Sequence, residues 1–478
     1  MIFNSIEFLV FILIFLPTYF LLRGRCRVLW MLGASYVFYG WWDWRFLSLI
    51  MASTIADYLI GLAMADVRRV VQRKFLLIAS VGFNLGLLGV FKYYDFFVTS
   101  LALALNSIGF EANLTLLNLI LPVGISFYTF QTLSYSIDIY RGECEPEPDF
   151  FRFAAFVSLF PQLVAGPIVR AQTLLPQLRR EHPFDTANLL HGTEIIIWGF
   201  FLKLAVADNL GVYVDSRFAN PEQYGGVSLL LATVFFAFQI YGDFAGYSLI
   251  AIGLGQLMGF SFPVNFIRPY FATNFSDFWE RWHISLSSWL RDYLYISLGG
   301  NRSGKSRTLR NLMLTMFLGG LWHGAAWTFV IWGLLHGCYL VLQNTLGLAL
   351  AQILPKNLPT RLCRGLLVFC LVNLAWIFFR ADSMDNALEI VRSIGGLRDG
   401  TAGLLDNPYE MLKSLMMISL LVLGECWLEW QCRKNGGKAV LLREVVPLHI
   451  RAVSAIVAVW MISLFGAFDG TKFIYFQF

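Results

Sequence analysis

Charge is scarce in this chain. Of 478 residues, 14% are Asp, Glu, Lys or Arg, while 57% are hydrophobic and the mean hydropathy is +0.63. Such a balance excludes an ordinary soluble globular protein. The net charge of +5 is small for this length, and no basic domain or RNA-binding signature is present, which excludes a nucleic-acid partner. The seven cysteines are odd in number, scattered and without a C-x-x-C pair, so they suggest neither a disulfide framework nor a zinc site and read as small hydrophobes. There is no His-x-x-x-His pair for a helical metal site, no H-E-x-x-H, no G-x-S-x-G and no D-x-D. Internal repeats, low-complexity tracts and an appended soluble domain are also lacking.

What replaces charge is long apolar chain. Runs that approach the 17–25 residues needed to cross a bilayer lie near 4–22, 28–41, 46–64, 75–97, 115–135, 186–206, 226–260, 332–350, 365–379, 412–430 and 452–468, several of them short. This pattern predicts an all-α polytopic membrane protein with about eleven transmembrane helices. The first run lacks a basic n-region and a small-residue cleavage site, so it is expected to stay as a helix rather than be removed as a signal peptide. Arg23, Arg25 and Arg27 follow the first run and Arg68, Arg69, Arg73 and Lys74 the third, whereas the second link carries only Asp43 and Arg45. Because cytoplasmic loops carry the excess of Lys and Arg, the N-terminus is expected outside, and the alternation places the C-terminus there too. That alternation requires two hairpins that enter and leave on one face. One is FAAFVSLFPQLVAGPI, a re-entrant segment broken by Pro161 and Gly166-Pro167; the other spans 311–350, flanked by Arg307 and Arg310 before and Lys356 and Arg361 after.

The polar groups placed where they cost most lie in 265–337. His323 follows Asn311 by about 12 residues, roughly 18 Å into a helix and therefore near the bilayer midplane. Ionisable groups at that depth are rare and usually line a cavity or a relay, which weighs against a merely buried histidine. In GGLWHGAAW, Gly319, Gly320, Gly324, Ala325 and Ala326 remove bulk around the imidazole while Trp322 and Trp327 wall it. A neutral imidazole in a dry channel can take a proton from a hydroxyl while water is kept from an activated acyl group. His283 lies in SDFWERWHISLSSWLRDYL, whose aromatic and charged residues alternate at helical spacing and suggest an interfacial helix; spacing alone leaves its histidine between a polar-edge residue and a functional one. His336 reads as a helix-end histidine, about 20 Å from His323 along a continuous helix. Residues 299–306 satisfy G-x-x-x-x-G-K-[ST] after a β-compatible LYISL, but they run straight into a membrane segment with no α/β domain, so a true P-loop is rejected. Arg302, Lys305, Arg307 and Arg310 there are either ordinary positive-inside charge or a cradle for a donor's phosphates. Asp57, Asp138 and Asp243 are membrane carboxylates; Asp243 either orients a histidine, lines a polar path or makes a helix–helix hydrogen bond.

The blocks LPVGISFYTFQTLSYSIDIYRG, FPQLVAGPIVR, QIYGDFAGYSLIAIG, FWERWHISLSSWLRDYLYISLGGNR, GGLWHGAAWTFVIWGLLHG and the terminal FIYFQF together resemble the membrane-bound O-acyltransferase (MBOAT) family, and within it the bacterial alginate O-acetyltransferase branch. The resemblance implies a ring of tilted helices, with re-entrant and interfacial elements, around a central channel, forming one integral membrane domain over 1–478 with 265–337 as its catalytic core. It implies His323 as catalytic histidine and His283 as the second histidine of an active-site pair, the latter in an orienting role. It also implies extracytoplasmic partner proteins that place the acetyl group on a polysaccharide.

The expectation is an acetyltransferase of the bacterial inner membrane that uses acetyl-CoA or another cytoplasmic thioester as donor, holds no permanent cofactor or metal, and serves O-acetylation of an exopolysaccharide such as alginate or cellulose. Arg302, Lys305, Trp282 and Trp322 are assigned to the donor. Two alternatives stay open: a D-alanyl or other acyl transferase fed by a carrier protein, and a polysaccharide or proton-coupled transporter, although a transporter commonly shows repeats.

Overall fold

The structure, a computed structural model, describes residues 1–347, 357–396, 398–434, 446–468 and 473–474. The end of the 332–350 run, the basic link at Lys356, the middle of the loop 431–451 and most of the terminal FIYFQF lie outside these residues. Among them the regular structure is helical throughout. Eight helices are long and apolar enough to cross a membrane: Trp44–Asp66, Val70–Ser107, Thr186–Ala219, Gly226–Leu257, Trp327–Leu346, Leu358–Arg380, Pro408–Lys434 and Leu448–Phe465. Ile6–Leu21 is a shorter apolar helix. The expected runs 28–41 and 115–135 appear as Gly24–Gly40 and Ile125–Arg141, each of 17 residues. The second begins late because Gly124, in the left-handed region at φ 80°, turns an extended segment into the helix.

The chain packs as two compact units, Met1–Thr193 with Ala251–Pro263, and Glu194–Ile250 with Val264–Phe478. In the first, Ile125–Arg141 is buried along almost its whole length and lines a polar interior. Asp57 accepts hydrogen bonds from Ser80 (2.5 Å), Ser136 (3.2 Å) and the Asn84 amide (2.8 Å), while Ser53 and Thr132 donate to the Asn84 oxygen. Without water to serve these groups, three helices satisfy one another's side chains, which is what holds helices together in a medium as apolar as they are. The FAAFVSLFPQLVAGPI segment is buried from Phe153 to Val169 and broken as Pro161 requires, with a helix ending at Ser158 and a four-residue turn of helix at Phe160–Leu163.

In the second unit burial divides the helices by task. Of the apolar window in Gly226–Leu257, 72% is buried, against 11% in Leu448–Phe465, so the former is largely covered by protein while the latter leaves most of its apolar surface uncovered. The second expected hairpin is present as Lys305–His323 and Trp327–Leu342, joined through 324–326. Its limbs touch backbone to backbone. A Cβ on Gly333 would strike the Met316 carbonyl oxygen and stand 3.1 Å from Gly320 Cα, and one on Gly324 would enter the Phe329 ring. Glycine at these positions is required by close approach rather than by φ.

The same contact gives a stability test. Gly333→Ala forces the limbs apart at their tightest point, an overpacking penalty of about 1–3 kcal/mol. The expected outcome is a lower midpoint for thermal unfolding in detergent, followed by tryptophan fluorescence, with Gly395→Ala, where a Cβ meets open space, as the control.

Candidate active site

His323 is the last residue of its helix and stands at the tip of the hairpin. His283 arrives by a different route. The expected interfacial helix is in fact two, Phe275–Arg281 and Ile284–Trp289, and the chain bends between them with His283 in the left-handed region at φ 43°. A β-carbon makes this conformation unfavourable, at an order of 1–3 kcal/mol, so neighbours must hold it. Asn265 does so: its carbonyl accepts from Ile284 N–H (2.9 Å) and its side-chain oxygen from Ser285 N–H (3.3 Å), while Ile267 N–H donates to the Arg281 carbonyl (3.0 Å). Arg268, also left-handed at φ 46°, donates through Nε to Glu429 (2.8 Å), and Arg281 pairs with Asp277 (2.6 Å). The bend turns the His283 side chain inward, where it is wholly buried instead of lying at a polar edge.

The two imidazoles meet, with ring centroids 6.4 Å apart. Aromatic rings enclose them. Phe244 meets His283 edge-on at 4.5 Å, and Trp322 lies 5.8 Å from His283 and 5.0 Å from His323. Trp332 and Phe379 meet His323 at 4.9 and 5.2 Å. His283 lies outside the eight candidate spans, and burial lowers its imidazole from the ordinary 6.5 to about 3, so it is a neutral donor–acceptor at physiological pH.

The residues assigned to the donor divide. Trp322 packs against both histidines, whereas Trp282 is buried against Phe266, Phe278 and Trp376. Arg302 and Lys305 are exposed at the base of the hairpin; Lys305 begins the helix that ends at His323, roughly 27 Å away at helical rise. The LYISL that reads as β-compatible is no strand: its first two residues end a wide helical turn, Leu290–Tyr295, and the rest turns into a loop where Gly299, Gly300 and Gly304 all take positive φ and Asn311 donates to the carbonyls of Leu298 and Gly300.

Asp243 does not face a histidine. Its carboxylate pairs with Lys203 Nζ (2.7 Å) and accepts from Ile474 N–H (2.8 Å), and Lys203 also reaches Asp208 (2.7 Å). Lys203 escapes a reading of the sequence because it is one cation in an apolar run; its signal is that same isolation within GFFLKLAVAD. Phe244, Trp332 and Phe379 are likewise missed, since an aromatic residue in an aromatic-rich chain carries no mark of its site.

Two buried imidazoles set beside each other in an aromatic box can move a proton where water is kept out. The sequence pattern of the MBOAT, membrane-bound O-acyltransferase family, matches residues 145–379. The chain is 43% identical to "Probable alginate O-acetylase AlgI" of Azotobacter vinelandii, over 88% of this chain and 83% of that protein. It is 36% identical to the peptidoglycan O-acetyltransferase of Helicobacter pylori over 81% of this chain and 79% of that one, and 30% identical to the teichoic acid D-alanyltransferase of Bacillus subtilis over 48% and 60%. The chain belongs to the membrane-bound O-acyltransferase family and is an O-acyltransferase.

The buried charges beside the site give a second test. Lys203→Met leaves two carboxylates without their cation, a loss of about 3–5 kcal/mol, read as a lower unfolding midpoint and lower yield. Adding Asp243→Asn is expected to recover part of it by removing one stranded charge; no recovery would assign the loss to packing.

Proposed function

We propose that this enzyme is an acetyltransferase of the bacterial inner membrane that takes acetyl from a cytoplasmic thioester, acetyl-CoA, and delivers it for O-acetylation of an exopolysaccharide such as alginate or cellulose. The observation that carries the reading is the His283–His323 pair, 6.4 Å between ring centroids, inside an apolar box at the tip of the hairpin. In the proposed reaction His323 takes the proton of the acceptor hydroxyl as its oxygen attacks the thioester carbonyl. The C–S bond then breaks and the leaving thiolate takes that proton from the imidazolium. His283, neutral and held by its bend, orients the donor carbonyl or the acceptor, and the aromatic walls exclude the water that would hydrolyse the thioester.

Arg302 and Lys305, at the base of the hairpin with Arg307 and Arg310, are proposed to meet the phosphates of the donor where it enters. That assignment puts the basic loops and the donor in the cytoplasm and both termini outside. Extracytoplasmic partner proteins are proposed to accept the acetyl group and place it on the polymer. Transfer of acetyl is preferred to that of D-alanine because the acetylating relatives match more than four-fifths of the chain and the D-alanyltransferase less than half.

His323→Ala is expected to abolish acetyl esters on the secreted polymer, read by NMR, with the protein still present in the membrane and the polymer still exported. In vitro the rate should fall by about 10²–10⁴-fold, the range of general-base catalysis. His283→Ala should reduce the rate by less. Unchanged acetyl content in the His323 variant overturns the mechanism, and loss of export instead of acetylation would favour a transporter.

A further inference from the structure

His336 is no helix-end histidine. It lies within Trp327–Leu342, is fully buried, and follows Trp332 by four residues on the same helical face. Trp332 stands between the two histidines of the hairpin, its ring 4.9 Å from His323 and 4.8 Å from His336. That indole prevents direct proton transfer between the imidazoles. Trp279 meets His336 at 5.0 Å and Trp332 at 5.9 Å, and Phe278 lies parallel to the imidazole at 5.9 Å.

Among the described residues neither ring nitrogen of His336 has a hydrogen-bond partner, nor does the indole nitrogen of Trp279 or of Trp332. Each buried polar atom left so is costly, and at membrane depth water is a poor substitute. Four such atoms lie on three rings in mutual contact, with centroids 4.8–5.9 Å apart, and so offer their polar groups to one small region. Their chemistry describes what fits there. A neutral imidazole offers one donor and one acceptor, and each indole offers a donor. An acyl chain matches none of these, and a phosphate or carboxylate leaves the imidazole acceptor unused while burying a charge. A secondary amide matches both kinds: its carbonyl, with two lone pairs, accepts from N–H groups and its own N–H donates to the imidazole.

The position agrees. Gly333 packs on Met316 and Gly337 on Met313 across the hairpin, so His336 lies between the tip that carries His323 and the base that carries Lys305, Arg307 and Arg310. In a pantetheine thioester two methylenes separate the sulfur from the first amide nitrogen, a reach suited to a site one indole away from the reacting carbonyl. We propose that His336, with the indole N–H groups of Trp279 and Trp332, binds a secondary amide in the arm of the acyl donor and so selects amide-bearing thioesters. This rests on the acyl-transfer reading above.

The test uses the full chain, purified in nanodiscs, with two acetyl donors: S-acetyl-N-acetylcysteamine, which keeps one amide and lacks the nucleotide, and S-phenyl thioacetate, which has no amide. Transfer to an oligosaccharide in the presence of the extracytoplasmic partner proteins is followed by mass spectrometry, and the quantity read is the ratio of kcat/KM between the donors. His336→Leu should lower the preference for the amide donor by about 10-fold or more, chiefly through KM, as loss of a buried hydrogen bond of 1–3 kcal/mol dictates. His336→Gln, which keeps a donor and an acceptor, should retain most of the preference. Trp279→Phe, which removes one N–H and keeps an aromatic ring, should lower it severalfold and stands in if His336→Leu fails to fold. A ratio unchanged in His336→Leu, or in Trp279→Phe where His336→Leu does not fold, overturns the proposal and leaves acyl transfer intact. A wild type that uses neither donor nor acetyl-CoA overturns both.

Discussion

Two helices packed side by side meet at the distance their smallest residues allow, and in this protein that distance shapes the candidate site. Gly320 and Gly333 let the limbs of the 305–342 hairpin touch at the backbone, so the returning limb carries Trp332 against His323 and His336 against Trp332. Larger residues there would open the hairpin and separate the rings. The hairpin alone does not complete the site, because the second histidine comes from a segment that reaches it only by bending.

That bend shows how strain and apolar burial work together. Residues 281–284 follow a path that a helix cannot, and left-handed His283 is sustained by hydrogen bonds to Asn265 and by the ion pairs of Arg268 and Arg281. An uninterrupted helix would carry His283 onward with its neighbours. The local cost is of the kind found at functional sites, where surrounding structure over-determines an unfavourable conformation.

Buried polar groups fall into two kinds. Asp57 with Ser80 and Asn84, and Lys203 with Asp208 and Asp243, have their partners within the protein and read as structure. His336 has none among the described residues, in an interior where unmatched groups are costly. Proximity to the histidine pair would not have made the distinction, since Asp243 is adjacent in sequence to Phe244, which touches His283.

The sequence by itself determined the class of protein, the helical fold, the family and the two histidines. Apolar length, scarcity of charge and the W-H-G and R-W-H blocks are local properties, readable without knowing what lies opposite. The hairpin was legible too, because Arg307 and Arg310 before it and Arg361 after it require an even number of crossings. Tertiary structure decided the rest. Helical spacing through 275–295 suggested an interfacial helix, and only hydrogen bonds to the distant Asn265 break it. Lys203 and Asp243 are far apart in the chain and declare themselves as a pair only in space. His336 looked like the end of a helix because periodicity counts residues along one axis, whereas a hairpin folds that axis back and makes Trp332 the neighbour of two histidines.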